Sequence, residues 1–496
     1  MKQKLCLLLA LCLLLTLFAS CSEKPGDESA PEAQNPAADP AAAEEEVDPT
    51  ALLYADLPTG SYDGFTFSFA NNISNFAYTI MSAEEITGEG INDAVFNRNK
   101  KVEEELNIVI DEQLMSYNEV TSTMNTAIAA DDTAYSCFWN EAGFVSPFAI
   151  GGKLVDVNTV DAVNLSKPWW EGGAMEEIKI LDKLFYLVGD IHLMFKESFW
   201  MTGYNRNILD ENQLENPYDL VKEGKWTLDK MQVMMQTAAS DLDGNGTMDG
   251  ADRFGVTCYS GCVNPLYMAA DEVLIARNAD GIPENLDLGD RFYSVYDKIV
   301  NTFFSADALN TYVCMDGKTQ NISQYQDGWH GVFLSGHALF YLEPIGSLKK
   351  LRDMDAEFGI VPFAKYDDAQ ANYVTYIANY AAMCGIPITN PDLDRTGTIL
   401  ENLCAYSHGD LRTAYVDTTL NFKYIRDAES KEMLDLILSS GRFNLCDLLS
   451  VTAVKDAIAN AASSGTTGVA SSIAKTKKPA DKMLEKNLSK VLASGE

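Results

Sequence analysis

The chain has 496 residues, of which 72 are acidic and 37 basic, giving a formal net charge of −35 at neutral pH. Such an excess of negative charge excludes nucleic acid and anionic lipid surfaces as partners recognised through charge. With 47% hydrophobic and 10% aromatic residues the chain can bury the core of a folded body of two or more lobes.

Met1-Lys2-Gln3-Lys4 is followed by an apolar run from Leu5 to Phe18 and then by Ala19-Ser20-Cys21, the three-part layout of a secretory signal. The run is too short for a comfortable membrane span. Small residues directly before a cysteine resemble a lipobox, which implies removal of residues 1–20 and a lipid on Cys21. Residues 22–50 are rich in Pro, Ala and acids and carry almost no large apolar side chain, so they read as a disordered tether reaching to about residue 58. With Cys6 and Cys12 gone and Cys21 lipidated, seven cysteines stay, an odd number with no metal spacing; buried free thiols are expected.

Phe65–Phe69 alternates as a strand does, and Val95, Asn99, Val102 and Leu106 recur at helical spacing before the short apolar run Ile108–Ile110. A helical stretch from Val120 to Ala130 leads to a third strand, Ser136–Phe138. The β-α-β-α-β order predicts a parallel sheet covered by helices, with ligands at the carboxyl ends of its strands. Trp139, Asn140 and Glu141 stand at that place after the third strand. Further strands are expected over Leu184–Val188 and Ser198–Tyr204, and Thr227 is placed to cap a helix burying Leu228, Met231, Met234 and Met235. Leu348, Leu351 and Met354 form a stripe before a strand at Phe358–Val361; later helices are marked by Ile399, Leu400, Leu403 and Tyr406, and by Met433, Leu434, Ile437 and Leu438.

Residues 241–252, Asp-Leu-Asp-Gly-Asn-Gly-Thr-Met-Asp-Gly-Ala-Asp, place oxygen-bearing side chains at loop positions 1, 3, 5, 9 and 12 with glycine at 6. This is the spacing of an EF-hand calcium loop, in which alternate positions turn inward on a hard cation. Asp241, Asp243, Asn245, Asp249 and Asp252 are the expected side-chain ligands, with the Thr247 carbonyl. Asp252 stands where glutamate is usual, and Arg253–Thr257 reads as a strand, so a structural Ca2+ site pinning a helix to a strand is expected.

Four segments, "GEGINDAVFNRNKKVEEELNI", "NPYDLVKEGKWTLDKM", "DLDGNGTMDGADRFGV" and "FLSGHALFYLEPIGSLKKLRDMDAEFGIVPFAKYDDAQANY", in this order and spacing, resemble the extracellular solute-binding proteins, family 1, of sugar-importing ABC transporters. The resemblance covers residues 60–475 and implies a periplasmic-binding-protein-like α/β fold, two lobes closing on a ligand about a hinge. It implies lobe 1 from 59–190 plus 366–425 and lobe 2 from 191–365 plus 426–496, with the hinge near Gly189-Asp190. It nominates Asp190, Glu197, Tyr259, Ser260 and Asn264 for the cleft, and either Tyr341 or Glu343 where the family has a stacking tryptophan.

A sugar needs flat aromatics for its CH faces and carboxylates or amides for its hydroxyls. Trp139, Trp169, Trp170, Trp329 and Tyr341 are candidates for the first role, and Asn140, Glu141, Asp190, Glu197 and Glu343 for the second. No GxSxG, HExxH, Walker or GxGxxG pattern occurs, and the four histidines show no metal spacing. The expected function is therefore a non-catalytic, monomeric, membrane-anchored receptor handing a carbohydrate to permease subunits. A secreted glycan-processing enzyme, and a receptor for a non-sugar ligand, are the alternatives.

Overall fold

The computed structural model describes residues 53–74, 77–305, 311–314, 328–420 and 428–493; the signal, Cys21 and nearly all of the tether lie outside them. Strand β1 (Phe65–Asn72) turns Phe67 and Phe69 into the core and pairs in parallel with β2 (Ile108–Met115), from Phe65 opposite Ile108 to Asn72 opposite Met115. The helix between them, Gly90–Leu106, buries Val95, Asn99, Val102 and Leu106, and stops where Asn107 takes a left-handed backbone at φ 51°. That residue type tolerates the conformation better than most. The helix Tyr117–Ala129 starts with a reciprocal Ser116–Glu119 capping box and returns the chain to β3 (Cys137–Glu141), again parallel to β1.

Strand β4 (Trp200–Asn205) starts a second sheet with β5 (Phe254–Tyr259), β6 (Thr311–Cys314), β7 (Ala338–Pro344) and β8 (Phe358–Val361), in the order β8-β4-β7-β5-β6. Here β5 is parallel to β6 and β7, while β4 is antiparallel to β7 and β8. After β9 (Thr375–Ile377) the chain re-enters the first sheet as β10 (Ala382–Gly385), antiparallel to β3, so that sheet reads β10-β3-β1-β2 and is mixed rather than all parallel. A last strand, β11 (Gly441–Phe443), lies parallel to β9.

Two passes between the sheets run side by side. Leu187 bridges Cys384, Phe199 bridges Ile377, and the Ala378 amide donates to Ser198 O at 2.9 Å. Gly189 is required at the outgoing pass: a Cβ there would meet Trp169 O at 2.6 Å and Cys404 Sγ at 2.7 Å.

Two sequence expectations change form. Leu184–Val188 is buried throughout but makes a bridge rather than a strand, because the left-handed Leu181 and Asp182 turn the chain just before it. Leu348, Leu351 and Met354 recur every three residues, and that spacing matches the 3-10 helix Ile345–Asp353 that carries the first two of them into the core. The described cysteine side chains (Cys137, Cys258, Cys262, Cys384, Cys404 and Cys446) are buried and free. No helix among the described residues is long and apolar enough to cross a membrane.

Candidate ligand cleft

Glu141 ends β3 at its carboxyl edge and starts the helix Ala142–Ile150 without capping it through its side chain. The next two amides, of Ala142 and Gly143, donate to Ala381 O and Asn379 O at 2.9 and 3.0 Å, fixing Tyr380 beside it. The Ala378–Ser198 bond brings the same segment next to Glu197, and the Ile345 amide on Phe199 O (2.8 Å) brings up the end of β7, which carries Glu343. Backbone pairing thus gathers three carboxylates, from the first sheet, the crossing segment and the second sheet, around one phenol.

Electrostatics reports the same convergence. The Tyr380 hydroxyl is pushed well above its ordinary range, first by enclosure, then by the negative charges of Glu343, Tyr376, Glu197 and Glu141. Tyr380 nevertheless keeps part of its surface exposed, so it stands at the margin of the core. Burial pushes the Glu141 carboxyl up to about 7. Burial does the same for Glu197, also to about 7, against the opposing pull of the Tyr78 amide (2.5 Å) and of Lys349.

The second sheet adds an aromatic shelf. Trp329 donates its indole N–H to Glu343 Oε1 at 2.5 Å, and Ser347 Oγ donates to Glu343 Oε2 at 3.0 Å. Tyr259, 41% exposed at the carboxyl end of β5, packs against Trp329 with ring centroids 5.7 Å apart. Asn264 lies just beyond, its Oδ1 enclosed and without a donor among the described residues. The side chain of Ser260 lies outside the described residues.

The other nominated residues have structural partners instead. Trp139, 1% exposed, meets Phe69 edge-on and stacks on His192, which makes it a core residue in this conformation. Asn140 donates to Tyr117 O and Thr121 Oγ1, pinning the helix Tyr117–Ala129. Trp169 and Trp170 both donate to the buried Glu401. Asp190 is sandwiched between Lys196 (3.1 Å) and His408 (2.5 Å); burial would raise its carboxyl, but these partners hold it below its ordinary range. Tyr341 bonds His330 and stacks on Phe333, so of the two candidates on β7 it is Glu343 that reaches the cleft. Tyr380 and Tyr78 belong to no motif; only the long-range pairing of residues 141, 197, 343 and 380 reveals them.

The loop 241–252 joins the helix Leu228–Ala238, capped by Thr227 as expected, to β5. Its base is closed by paired backbone bonds between Ser240 and Arg253. Carboxylate oxygens of Asp241, Asp243 and Asp252 come within 4.8 Å of one another. Gly246, at φ 80°, makes the turn that lets its amide and that of Gly244 bond Asp241. Asn245 and Asp249 accept the amides of Thr247 and Ala251, and the Asp249 amide donates to Asp252 Oδ2 at 2.8 Å.

No family profile and no curated protein matches this chain. Solved structures do. An ABC substrate-binding protein from Listeria monocytogenes in complex with cycloalternan matches 85% of this chain and 100% of its own, at 13% identity and a TM-score of 0.57. The fold is that of the MalE-like substrate-binding proteins. The cyclic alpha-maltosyl-1,6-maltose binding protein of Arthrobacter globiformis matches 85% of this chain and 99% of its own at 13% identity and 0.58. The sugar-binding protein MalE of Xanthomonas citri matches 85% and 98%, at 14% identity and 0.58. At these identities the likeness is one of fold.

Proposed function

We propose that this chain is the extracytoplasmic receptor of an ABC importer, held at the membrane by a lipid on Cys21, and that it takes a carbohydrate into the cleft around Tyr380 and passes it unchanged to permease subunits. The observation that carries the reading is the pairing of an aromatic shelf, Tyr259 and Trp329, with carboxylates from both sheets at strand ends. Flat rings for CH faces and acceptors for hydroxyls are what a sugar requires. The neighbours of the same fold named above are binding proteins for sugars.

Titration calorimetry of the purified chain against mono- and oligosaccharides tests it: saturable one-to-one binding without products is expected. Glu141 and Glu343, carboxylates from the two sheets that both bear on Tyr380, keep a glycosidase as the second reading. Appearance of hydrolysis products would decide for it. In the cell, Cys21→Ala should release the protein from the membrane fraction; continued attachment would refute the anchor.

The loop 241–252 we read as a calcium brace. Asp241, Asp243 and Asp252 supply clustered hard oxygens, Asn245, Thr247 and Asp249 occupy the intervening ligand positions, and a divalent cation would relieve the repulsion among the acids. A ligand bound only by the native state raises its stability. The melting temperature in millimolar calcium should exceed that in chelator by several degrees, and coincident melts would sink the metal reading.

A further inference from the structure

Among the described residues, the polar groups left without partners in the cleft are mainly acceptors. Glu141 has no hydrogen-bond donor among the described residues, and burial alone acts on its carboxyl. Glu197, 2% exposed, has Oε2 occupied by the Tyr78 amide, and its Oε1 has no donor among the described residues. Asn264 Oδ1 is an enclosed acceptor without a donor among the described residues. No hydrogen bond engages the Tyr380 hydroxyl among the described residues, and every charge bearing on it is negative. The basic group felt by Glu197 is Lys349, whose ammonium is itself held below its usual range by burial. Among the described residues, Glu141 and Glu197 Oε1 stand without a donor, and the basic group acting on these two carboxyls is Lys349, on Glu197.

A neutral sugar would supply donors but leave the charge uncompensated, and enclosed carboxylates without a counter-charge are driven toward their neutral form. Burial pushes Glu141 and Glu197 in that direction, each to about 7, with the Tyr78 amide and Lys349 opposing it at Glu197. An ammonium would restore the ionised form and turn each acceptor into a charge-assisted one. An anionic sugar would add a further negative charge to an enclosed acidic site.

We propose that the ligand is a saccharide carrying a positively charged amine, seated against Glu141 and Tyr380 with Glu197 and Glu343 as further counter-charges. The proposal rests on the carbohydrate reading above and names the class of carbohydrate. Donor-rich selectivity then comes from the crossing segment and both sheets together, since each contributes one carboxylate.

The test is calorimetry at about pH 6.5, where such an amine is charged. Glucosamine, glucose and glucuronate, with their galacto counterparts and β-linked disaccharides, are compared on the full mature chain. The amine form should bind at least about tenfold tighter than the neutral one, and the uronate should show no binding. Glu141→Gln should cut the amine-over-neutral ratio by about tenfold. If that variant does not fold, the wild-type chain still decides: an ammonium that ionises Glu141 and Glu197 releases protons, seen as a heat that depends on the buffer. Neutral sugars binding as tightly as amines, or no proton release, overturns the amine proposal and leaves the carbohydrate reading standing. No binding of any saccharide in any form overturns both.

Discussion

Glu343→Ala should lower saccharide affinity by about a hundredfold while the protein stays folded. The side chain has two tasks: it is the second sheet's carboxylate toward Tyr380, and it fixes the shelf by accepting the Trp329 indole N–H and the Ser347 hydroxyl. A hydrogen bond to a charged group is worth about 1.5–3 kcal/mol, and about 1.4 kcal/mol is tenfold in affinity. Losing one ligand contact and the orientation of Trp329 together therefore accounts for about two orders of magnitude. Glu343→Gln separates the tasks, because the amide oxygen can still accept the indole while the charge is gone. Calorimetry measures the affinities and circular dichroism checks the fold; an unchanged dissociation constant in Glu343→Ala would remove this residue, and the cleft built around it, from ligand binding.

The contrast between Glu343 and Tyr341 shows what a sequence can and cannot convey about such a site. Both sit on one strand, two residues apart, and both have the chemistry to meet a sugar. Their fates divide over partners on the helix Trp329–Leu334 just before the strand: Tyr341 finds His330 and Phe333, while Glu343 finds Trp329 and, from further off in the chain, Tyr380 of the crossing segment. The local elements were legible because their signals are local. The spacing of Val95, Asn99, Val102 and Leu106 sets the buried face of one helix, and Thr227 caps another by accepting the Lys230 amide. The parallel β1-β2-β3 core follows from the helices between those strands. The resemblance implies that residues 366–425 return to lobe 1, but it gives no sign that β10 pairs there antiparallel to β3, some 240 residues further on, making the sheet mixed, with Tyr380 just before it. Tryptophans drew attention in proportion to their size, and size is also what makes them core: Trp139 and Trp169 are buried to within 1% of their surface.

Glu401→Ala is expected to be the most damaging single change to stability, about 3–5 kcal/mol. Glu401 is 1% exposed and serves three donors at once: the indole N–H groups of Trp169 (3.0 Å) and Trp170 (2.8 Å) and the Asn164 amide (3.1 Å). Truncation leaves the two indole N–H groups enclosed without an acceptor, and each orphaned group costs about 1–3 kcal/mol before any cavity is counted. The cost is not local, because the same two tryptophans wall Gly189, the close-packed glycine at which the chain leaves the first sheet for the second. Loosening them should therefore also weaken ligand binding, although the hydrogen-bond partners of Glu401 are Trp169, Trp170 and Asn164 and not the carboxylates around Tyr380. Glu401→Gln, which keeps one acceptor oxygen, should lose about half as much. Urea unfolding measures the ranking; a loss below about 1 kcal/mol in Glu401→Ala would mean that water or a neighbouring carbonyl satisfies the indoles and that the tryptophan pair is held by packing alone.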